Sequence, residues 1–151
     1  MKVFEIHQEE ELSEVAAALV PIIEQYRVVL FTGNLGAGKT TFIKHICRAL
    51  GIMSDFSSPT FSLVNQYLFD NKVIYHMDLY RLQNPAELFD IGFEEYIDSG
   101  NICLVEWPEI AAPFLAQIPC LSIEINYSSE SNTRKISFQE HAQGFIVNSN
   151  N

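Results

Sequence analysis

The stretch from Val28 to Ile46, "VVLFTGNLGAGKTTFIKHI", constrains the fold of this chain more than any other segment. It opens with a continuous β-branched and aromatic run, Val28 to Thr32, which is typical of a strand buried on both faces of a parallel sheet. From Thr40 onward the apolar residues recur at helical spacing, and Gly51 supplies a C-terminal stop. Glycines at positions 33, 36 and 38 join the two patterns. We therefore expect a central strand, a glycine-rich loop and a helix in direct succession.

The loop itself matches the P-loop pattern, Gly33-x-x-x-x-Gly38-Lys39-Thr40. Glycines let backbone N–H groups point at phosphate oxygens, and the N-terminus of the following helix adds a positive dipole. Lys39 is placed to reach the β and γ phosphates, and the Thr40 hydroxyl is placed to bind magnesium. We expect a nucleoside triphosphate to be held by the residues of this loop: Gly33, Asn34, Leu35, Gly36, Ala37, Gly38, Lys39, Thr40 and Thr41.

Further strands and helices surround this unit. "KVFEI" alternates as a short strand does, and the helical stripe after it is expected to end or kink at Pro21. "LVNQYLF" and "KVIYHMD" predict a hairpin that turns at Asp70-Asn71, and "LSIEINY" with "RKISFQE" predicts a final strand pair. The expected fold is α/β, a P-loop NTPase-like three-layer domain with a mixed, partly antiparallel sheet. We expect residues 1–151 to form one domain with a frayed tail at about 146–151.

Two acids stand where a P-loop protein needs a magnesium ligand, each at the end of an apolar run. Asp78 follows "KVIYHM" and Glu106 follows "ICLV". The competing interpretation of each is a strand-end acid that faces water. Thr60 in "SSPTF" lies on a loop after the P-loop helix, where a switch threonine would stand, although an ordinary Ser/Thr turn beside a proline explains the same spacing.

The sequence favours ATP over GTP and slow hydrolysis over fast phosphoryl transfer. A guanine-specific Asn-Lys-x-Asp element is missing, because "NKVI" carries Ile74 where the acid should be. No arginine-rich lid of the kind that closes on phosphates is present, and the arginines are few: Arg27, Arg48, Arg81 and Arg134. Few positive charges are therefore available to neutralise a transferred phosphoryl group, and we expect slow hydrolysis that a partner completes.

Charge and apolar run length restrict the partners and the location. The net charge is −10, from 19 acidic and 9 basic residues, and Lys and Arg do not cluster. Such a chain repels phosphate backbones, so direct nucleic-acid binding is disfavoured. The apolar runs fall far short of the roughly 18 residues that a membrane helix needs, which favours a cytoplasmic protein. The widely spaced cysteines are expected to be buried free thiols: Cys47, Cys103 and Cys120.

Five segments, taken in order, resemble the bacterial TsaE family (formerly YjeE). They are "GNLGAGKTT", "SSPTFSLVNQY", "YHMDLYRL", "NPAELFDIGFEEY" and "ICLVEWPE". The resemblance extends from about Phe4 to Phe138, and its Ser-Pro-Thr, Asp-Leu-Tyr-Arg and Glu-Trp elements are specific to the family. It implies a small P-loop ATPase, with ATP and magnesium as cofactors, that is needed for threonylcarbamoyladenosine formation on tRNA.

The resemblance also assigns roles to single residues. It implies Lys39, Asp78 and Thr60 as catalytic residues, with Thr60 as the switch threonine. It places the magnesium ligands at Thr40 and Glu106.

Three more nucleotide contacts are implied by the family alone. They are Trp107, next to the metal site, Arg134 on the last hairpin and Glu9 at the start of the first helix. Without the family, Trp107 would be interpreted as a core aromatic residue. The sequence departs from the family at the helix start, where Gln8-Glu9-Glu10-Glu11-Leu12 replaces the common Ser-Pro-Glu-Glu-Thr.

The family partners are the TsaD and TsaB proteins, which transfer the threonylcarbamoyl group to the adenosine beside the anticodon. The resemblance implies that this chain meets tRNA only through them, which agrees with its negative charge. Two other functions are compatible with the same P-loop: a small-molecule kinase, and a nucleotide-gated binding module with negligible turnover.

Overall fold

The computed structural model describes residues 2–34, 36–53 and 63–145. Leu35 and Thr60, two of the predicted site residues, lie outside the described residues. The strands are β1 (Lys2–Ile6), β2 (Val28–Gly33), β3 (Val64–Phe69), β4 (Lys72–Asp78), β5 (Ile102–Glu106), β6 (Cys120–Ser128) and β7 (Thr133–His141). The helices are α1 (Glu11–Tyr26), α2 (Lys39–Ala49), α3 (Ala86–Ile91), α4 (Phe93–Asp98) and α5 (Ala112–Leu115), with a 3₁₀ helix at Pro108–Ala111.

The described strands form one mixed sheet in the order β1-β7-β6-β2-β5-β4-β3. β2 lies between β5 and β6 and pairs with both in parallel, and β4 extends the parallel part beyond β5. β3 and β7 are antiparallel to their neighbours. The expected α/β class with a mixed, partly antiparallel sheet is therefore confirmed.

Helices cover both faces of this sheet. Side chains of β2 alternate between two cores, because successive residues of a strand point to opposite faces. Val29 and Phe31 pack with α1 and α2, whereas Val28 and Leu30 pack with α3, α4 and α5. The strand is buried on both faces, as its continuous apolar sequence predicts, and the architecture has three layers.

Two local predictions have different outcomes. The Asp70-Asn71 hairpin is confirmed: both residues have positive φ angles, 46° and 68°, as a two-residue turn of a twisted ribbon requires. Of the two expected effects of Pro21, an end of the helix is wrong, since α1 continues to Tyr26, and a kink stays a prediction. Proline has no backbone N–H, so the carbonyl of Ala17, one turn earlier, lacks its helical hydrogen bond. Pro21 and Ala17 are both exposed, so water can bind this carbonyl instead.

Among the described residues, no helix is both long and apolar enough to cross a membrane. The expected cytoplasmic location stays a prediction.

Candidate nucleotide-binding site

Three parallel strands end at the same edge of the sheet and bring the predicted acids together. In the strand register Glu106 stands beside Phe31 of β2 on one side and Asp78 of β4 on the other. The N–H of Trp107 donates to the Phe31 carbonyl at 3.3 Å, which ties the ends of β5 and β2 together. Ligands of open α/β sheets bind outside the carboxyl ends of the parallel strands, and the P-loop starts there.

Two positions of the loop require glycine. Gly33 has φ +136°, and a Cβ at this position would overlap the carbonyl oxygen of Ile125 on β6. Gly38 has φ +101° and immediately precedes α2, and a Cβ there would lie 3.3 Å from Nε of Arg134. Larger residues would therefore displace the loop from its neighbours.

Lys39 is buried in this loop, with only 5% of its surface exposed. Its Nζ donates to the Gly33 carbonyl at 2.7 Å and to the Asn34 carbonyl at 3.1 Å. The same ammonium lies 4.1 Å from the centroid of the Trp107 ring. Burial lowers the pKa of Lys39, while the charges of nearby acids, Glu106 foremost, oppose that shift. A phosphate anion at the loop would stabilise this buried charge.

Glu106 is a buried carboxylate held from two sides. Thr40 Oγ1, at the start of α2, donates to its Oε1 at 3.1 Å. Nε2 of His76 lies 2.7 Å from its Oε2, and both side chains are almost completely buried, 2% and 3% exposed. Because a carboxylate accepts only, the histidine carries its proton on Nε2 here. The other ring nitrogen, Nδ1, is buried without a hydrogen-bond partner among the described residues.

Asp78 lies next to this pair but is only partly buried. Its Oδ1 accepts the backbone N–H of Tyr80 at 3.1 Å. Burial raises the pKa of Asp78, and Glu106 raises it further, although the Tyr80 hydrogen bond acts in the opposite direction. The backbone N–H of Asp78 donates to the carbonyl of Leu63, which is the first described residue after Thr60 in the sequence.

Trp107 has a backbone in the left-handed region, with φ 56°, which turns its side chain away from the strand direction. Its ring lies between Lys39 and Tyr80, whose ring centroid is 4.9 Å away. Tyr80 itself is 53% exposed. Trp107 is thus a partly buried residue beside Lys39, and its contact with the nucleotide stays a prediction.

The remaining predicted contacts lie at different distances from the loop. Arg134 Nε donates to the Ala37 carbonyl at 3.2 Å, so β7 brings this cation to the P-loop. Glu9 is exposed and faces His45 of α2, with 3.8 Å between Oε1 and Nε2. In the atypical helix start, Glu11 has a structural role, because its Oε1 accepts the N–H of Gln8 at 3.1 Å. Thr41 is partly buried in the first turn of α2.

The side chains fit a magnesium nucleotide. Magnesium binds few protein ligands and takes its other oxygens from phosphates and water. Thr40 and Glu106 supply two oxygen-bearing groups beside the phosphate-binding loop. The described residues contain no group of three His, Cys, Asp or Glu that could hold a metal ion. Thr40 and Glu106 would suit a magnesium ion that takes its remaining oxygens from a triphosphate and water.

A family model described as "Threonylcarbamoyl adenosine biosynthesis protein TsaE" matches residues 6–136. The chain belongs to the TsaE family. A relative from Rickettsia conorii, named tRNA threonylcarbamoyladenosine biosynthesis protein TsaE, is 39% identical over 87% of this chain and 73% of its own. The proteins of the same name from Haemophilus influenzae and Bacillus subtilis are 35% and 37% identical, over 82% and 72% of this chain and 78% and 67% of theirs.

The fold of this TsaE-family chain also resembles a solved one. The crystal structure of Bacillus subtilis YdiB superimposes with a TM-score of 0.69 at 27% identity, covering 93% of this chain and 85% of that chain.

His76 and Tyr80 are described residues of this site that the sequence did not reveal, and of the two His76 contacts Glu106 directly. His76 precedes Asp78 by two positions, which puts both on the same face of β4, and that spacing is the signal the sequence offers. Its partner Glu106 lies 30 residues later, on a strand whose pairing with β4 the pattern alone does not give.

Proposed function

We propose that this TsaE-family chain binds ATP with magnesium at the glycine loop and hydrolyses it slowly. In this proposal it serves threonylcarbamoylation of the adenosine beside the anticodon of tRNA, together with the TsaD–TsaB complex. The observation that carries the proposal is the buried Lys39 ammonium inside a glycine loop, beside the Thr40–Glu106 contact. The names of the relatives support the pathway.

The chain's own residues divide the work. The Lys39 ammonium has three N–H donors, and two of them bind the loop carbonyls. The third N–H binds the β and γ phosphates. Thr40 and Glu106 hold magnesium, which neutralises phosphate charge when bound. Trp107 and the carbonyls of the loop keep Lys39 in place.

Hydrolysis needs a base or an orienting group for water, and Asp78 is the residue we assign. Water attacks the γ phosphorus, the bond from that phosphorus to the β–γ bridging oxygen breaks, and the water proton passes to solvent or to a carboxylate. A raised pKa makes Asp78 a stronger base than an ordinary aspartate. Thr60 keeps its predicted role as a switch residue.

Few cations stand at this site, which supports slow, partner-dependent turnover. Lys39 and Arg134 are the described basic residues with contacts in the loop, and Arg134 uses its Nε on the Ala37 carbonyl. Phosphoryl transfer is accelerated strongly when a partner adds an arginine to the transition state. With a net charge of −10, the chain is also expected to meet tRNA through its partners.

The test is phosphate release from γ-labelled ATP with and without purified TsaD–TsaB complex. We expect slow release by the chain alone, faster release with the complex, and no release by Lys39→Ala. Equal background rates with and without the complex would contradict a partner-coupled ATPase and favour a nucleotide-gated binding module. Label recovered in a metabolite of an added extract instead of in free phosphate would favour a kinase.

A further inference from the structure

An open groove of about 590 Å³ lies between α4 and α5, on the sheet face opposite α1 and α2. Its apolar lining includes Phe89, Phe93, Ile97, Phe114 and Ile118. Phe89 stands 68% exposed, with its ring 5.1 Å from that of Phe114 in an edge-to-face arrangement. Phe89 thus continues the apolar lining of the groove to the surface, and contiguous exposed apolar patches of this kind mark interaction sites.

The groove lies in a part of the chain that has no positive side chain. No Lys, Arg or His occurs between Leu82 and Thr133. The same span carries the acids Glu87, Asp90, Glu94, Glu95, Asp98, Glu106, Glu109, Glu124 and Glu130. Of these, Glu94 and Asp98 line the groove itself, and both are exposed. The span from Leu82 to Thr133 therefore carries nine acids and no basic residue, and just beyond α4 the side chain of Arg27 donates to the Gly100 carbonyl at 2.6 Å.

The two acids at the groove repel each other along α4, while Glu94 is at the same time favoured by its place in the first turn of that helix. Glu94 and Asp98 stand four residues apart on α4, and like charges at that spacing destabilise a helix by about 0.2–0.5 kcal/mol. Among the ion pairs of the described residues, none involves either carboxylate. A cation brought by a second molecule would relieve this repulsion.

We propose that this groove binds a basic amphipathic segment of a partner protein. An apolar side chain of that segment enters beside Phe89 and Phe114, and its Lys or Arg residues face Glu94 and Asp98. Apolar anchors at the centre with charges at the rim are the usual arrangement of such contacts. The proposal rests on the partnership proposed above and assigns it a surface.

The chain connects this groove directly to the nucleotide site. Trp107, whose ring covers Lys39, is followed by the 3₁₀ helix Pro108–Ala111 and then by α5, which forms one wall of the groove. A partner seated in the groove therefore touches α5, which the 3₁₀ helix joins to the Trp107 side of the Lys39 pocket. This placement agrees with turnover that depends on a partner.

Binding to purified TsaD–TsaB complex tests the proposal, with affinities measured by calorimetry at two salt concentrations. The groove variants are Glu94→Lys with Asp98→Lys, and Phe89→Ser, which changes an exposed side chain and leaves the core intact. We expect each to weaken the affinity at least about tenfold, and we expect wild-type affinity to fall as salt rises. The matched control is Glu14→Lys with Glu24→Lys, the same charge change on exposed residues of α1.

Four results separate the outcomes. Tenfold loss in the groove variants, with wild-type affinity in the α1 control and unchanged ATP binding, supports the groove as the docking surface. Wild-type affinity in both groove variants overturns it. If the groove variants bind TsaD–TsaB with wild-type affinity but lose a dimer that the wild-type chain forms in sedimentation, the groove binds a second copy of this chain, and the proposal is also overturned. If even the wild-type chain fails to bind TsaD–TsaB, the partnership proposed above is refuted, and this assignment falls with it.

Discussion

Replacing His76 with leucine tests how the carboxylate of Glu106, the proposed magnesium ligand, is held. The histidine donates to Oε2 of Glu106 at 2.7 Å, and the two side chains are 2% and 3% exposed. Removing one partner of a buried polar pair leaves the other uncompensated, at a cost of about 3–5 kcal/mol. Thr40 Oγ1 still donates to the carboxylate at 3.1 Å, so we expect the lower end, about 3 kcal/mol.

For a chain of this length that loss corresponds to a fall in melting temperature of about 6–12 °C. Urea unfolding of the nucleotide-free protein, followed by circular dichroism, measures the loss in free energy of unfolding. The control is His141→Leu, which removes a 2.8 Å hydrogen bond to Ser122 at a half-buried site and should cost about 1 kcal/mol. The double variant His76→Leu/Glu106→Met removes both buried polar groups and should recover most of the loss. A loss below about 1 kcal/mol in His76→Leu, or no recovery in the double variant, would refute the reasoning.

Three further outcomes are expected. Gly33→Ala should lower the melting temperature more than Gly36→Ala, because a Cβ at 33 overlaps the Ile125 carbonyl whereas one at 36 meets nothing within 4 Å; equal shifts in differential scanning calorimetry would contradict this. Burial raises the pKa of each thiol to about 12, so Cys47, Cys103 and Cys120 should not react with Ellman's reagent at pH 8 until the chain unfolds. Rapid labelling of the folded chain would argue against this burial. Unfolded thiols ionise near pH 8.5 while the folded ones keep their protons, so the free energy of unfolding should fall as the pH rises above about 8.5. Trp107 is the sole tryptophan, so its fluorescence should change when magnesium-ATP is added, and an unchanged spectrum would count against its place beside Lys39.

The elements with strong local signals could be predicted from the sequence. The buried strand β2, the glycine loop and the start of α2 follow from hydrophobic pattern and glycine placement alone. The hairpin turn follows too, since Asp70 and Asn71 tolerate the positive φ angles that a tight turn imposes. Asp78 and Glu106 could be placed at strand ends because each closes an apolar run.

Features that depend on tertiary neighbours could not be predicted. Pro21 was expected to end or kink α1, but the helix continues to Tyr26, because the exposed position of Pro21 leaves the carbonyl one turn earlier open to water. The His76–Glu106 contact requires β4 and β5 to be neighbours in register, and the hydrophobic pattern within a segment does not predict strand order. The groove beside Phe89 arises from the packing of α4 against α5, which no single segment encodes.

Calorimetric titration of ATP with magnesium into the wild-type chain and into Lys39→Ala tests the nucleotide site most directly. Lys39 is the buried cation of the loop, held by the Gly33 and Asn34 carbonyls and covered by Trp107. We predict saturable binding of one ATP per wild-type chain and an affinity at least about tenfold lower in Lys39→Ala, a loss of about 1.4 kcal/mol or more. Circular dichroism should show both chains equally folded. Equal ATP affinity in the two chains, or no binding to the wild type, would contradict the assignment of this loop as an ATP site.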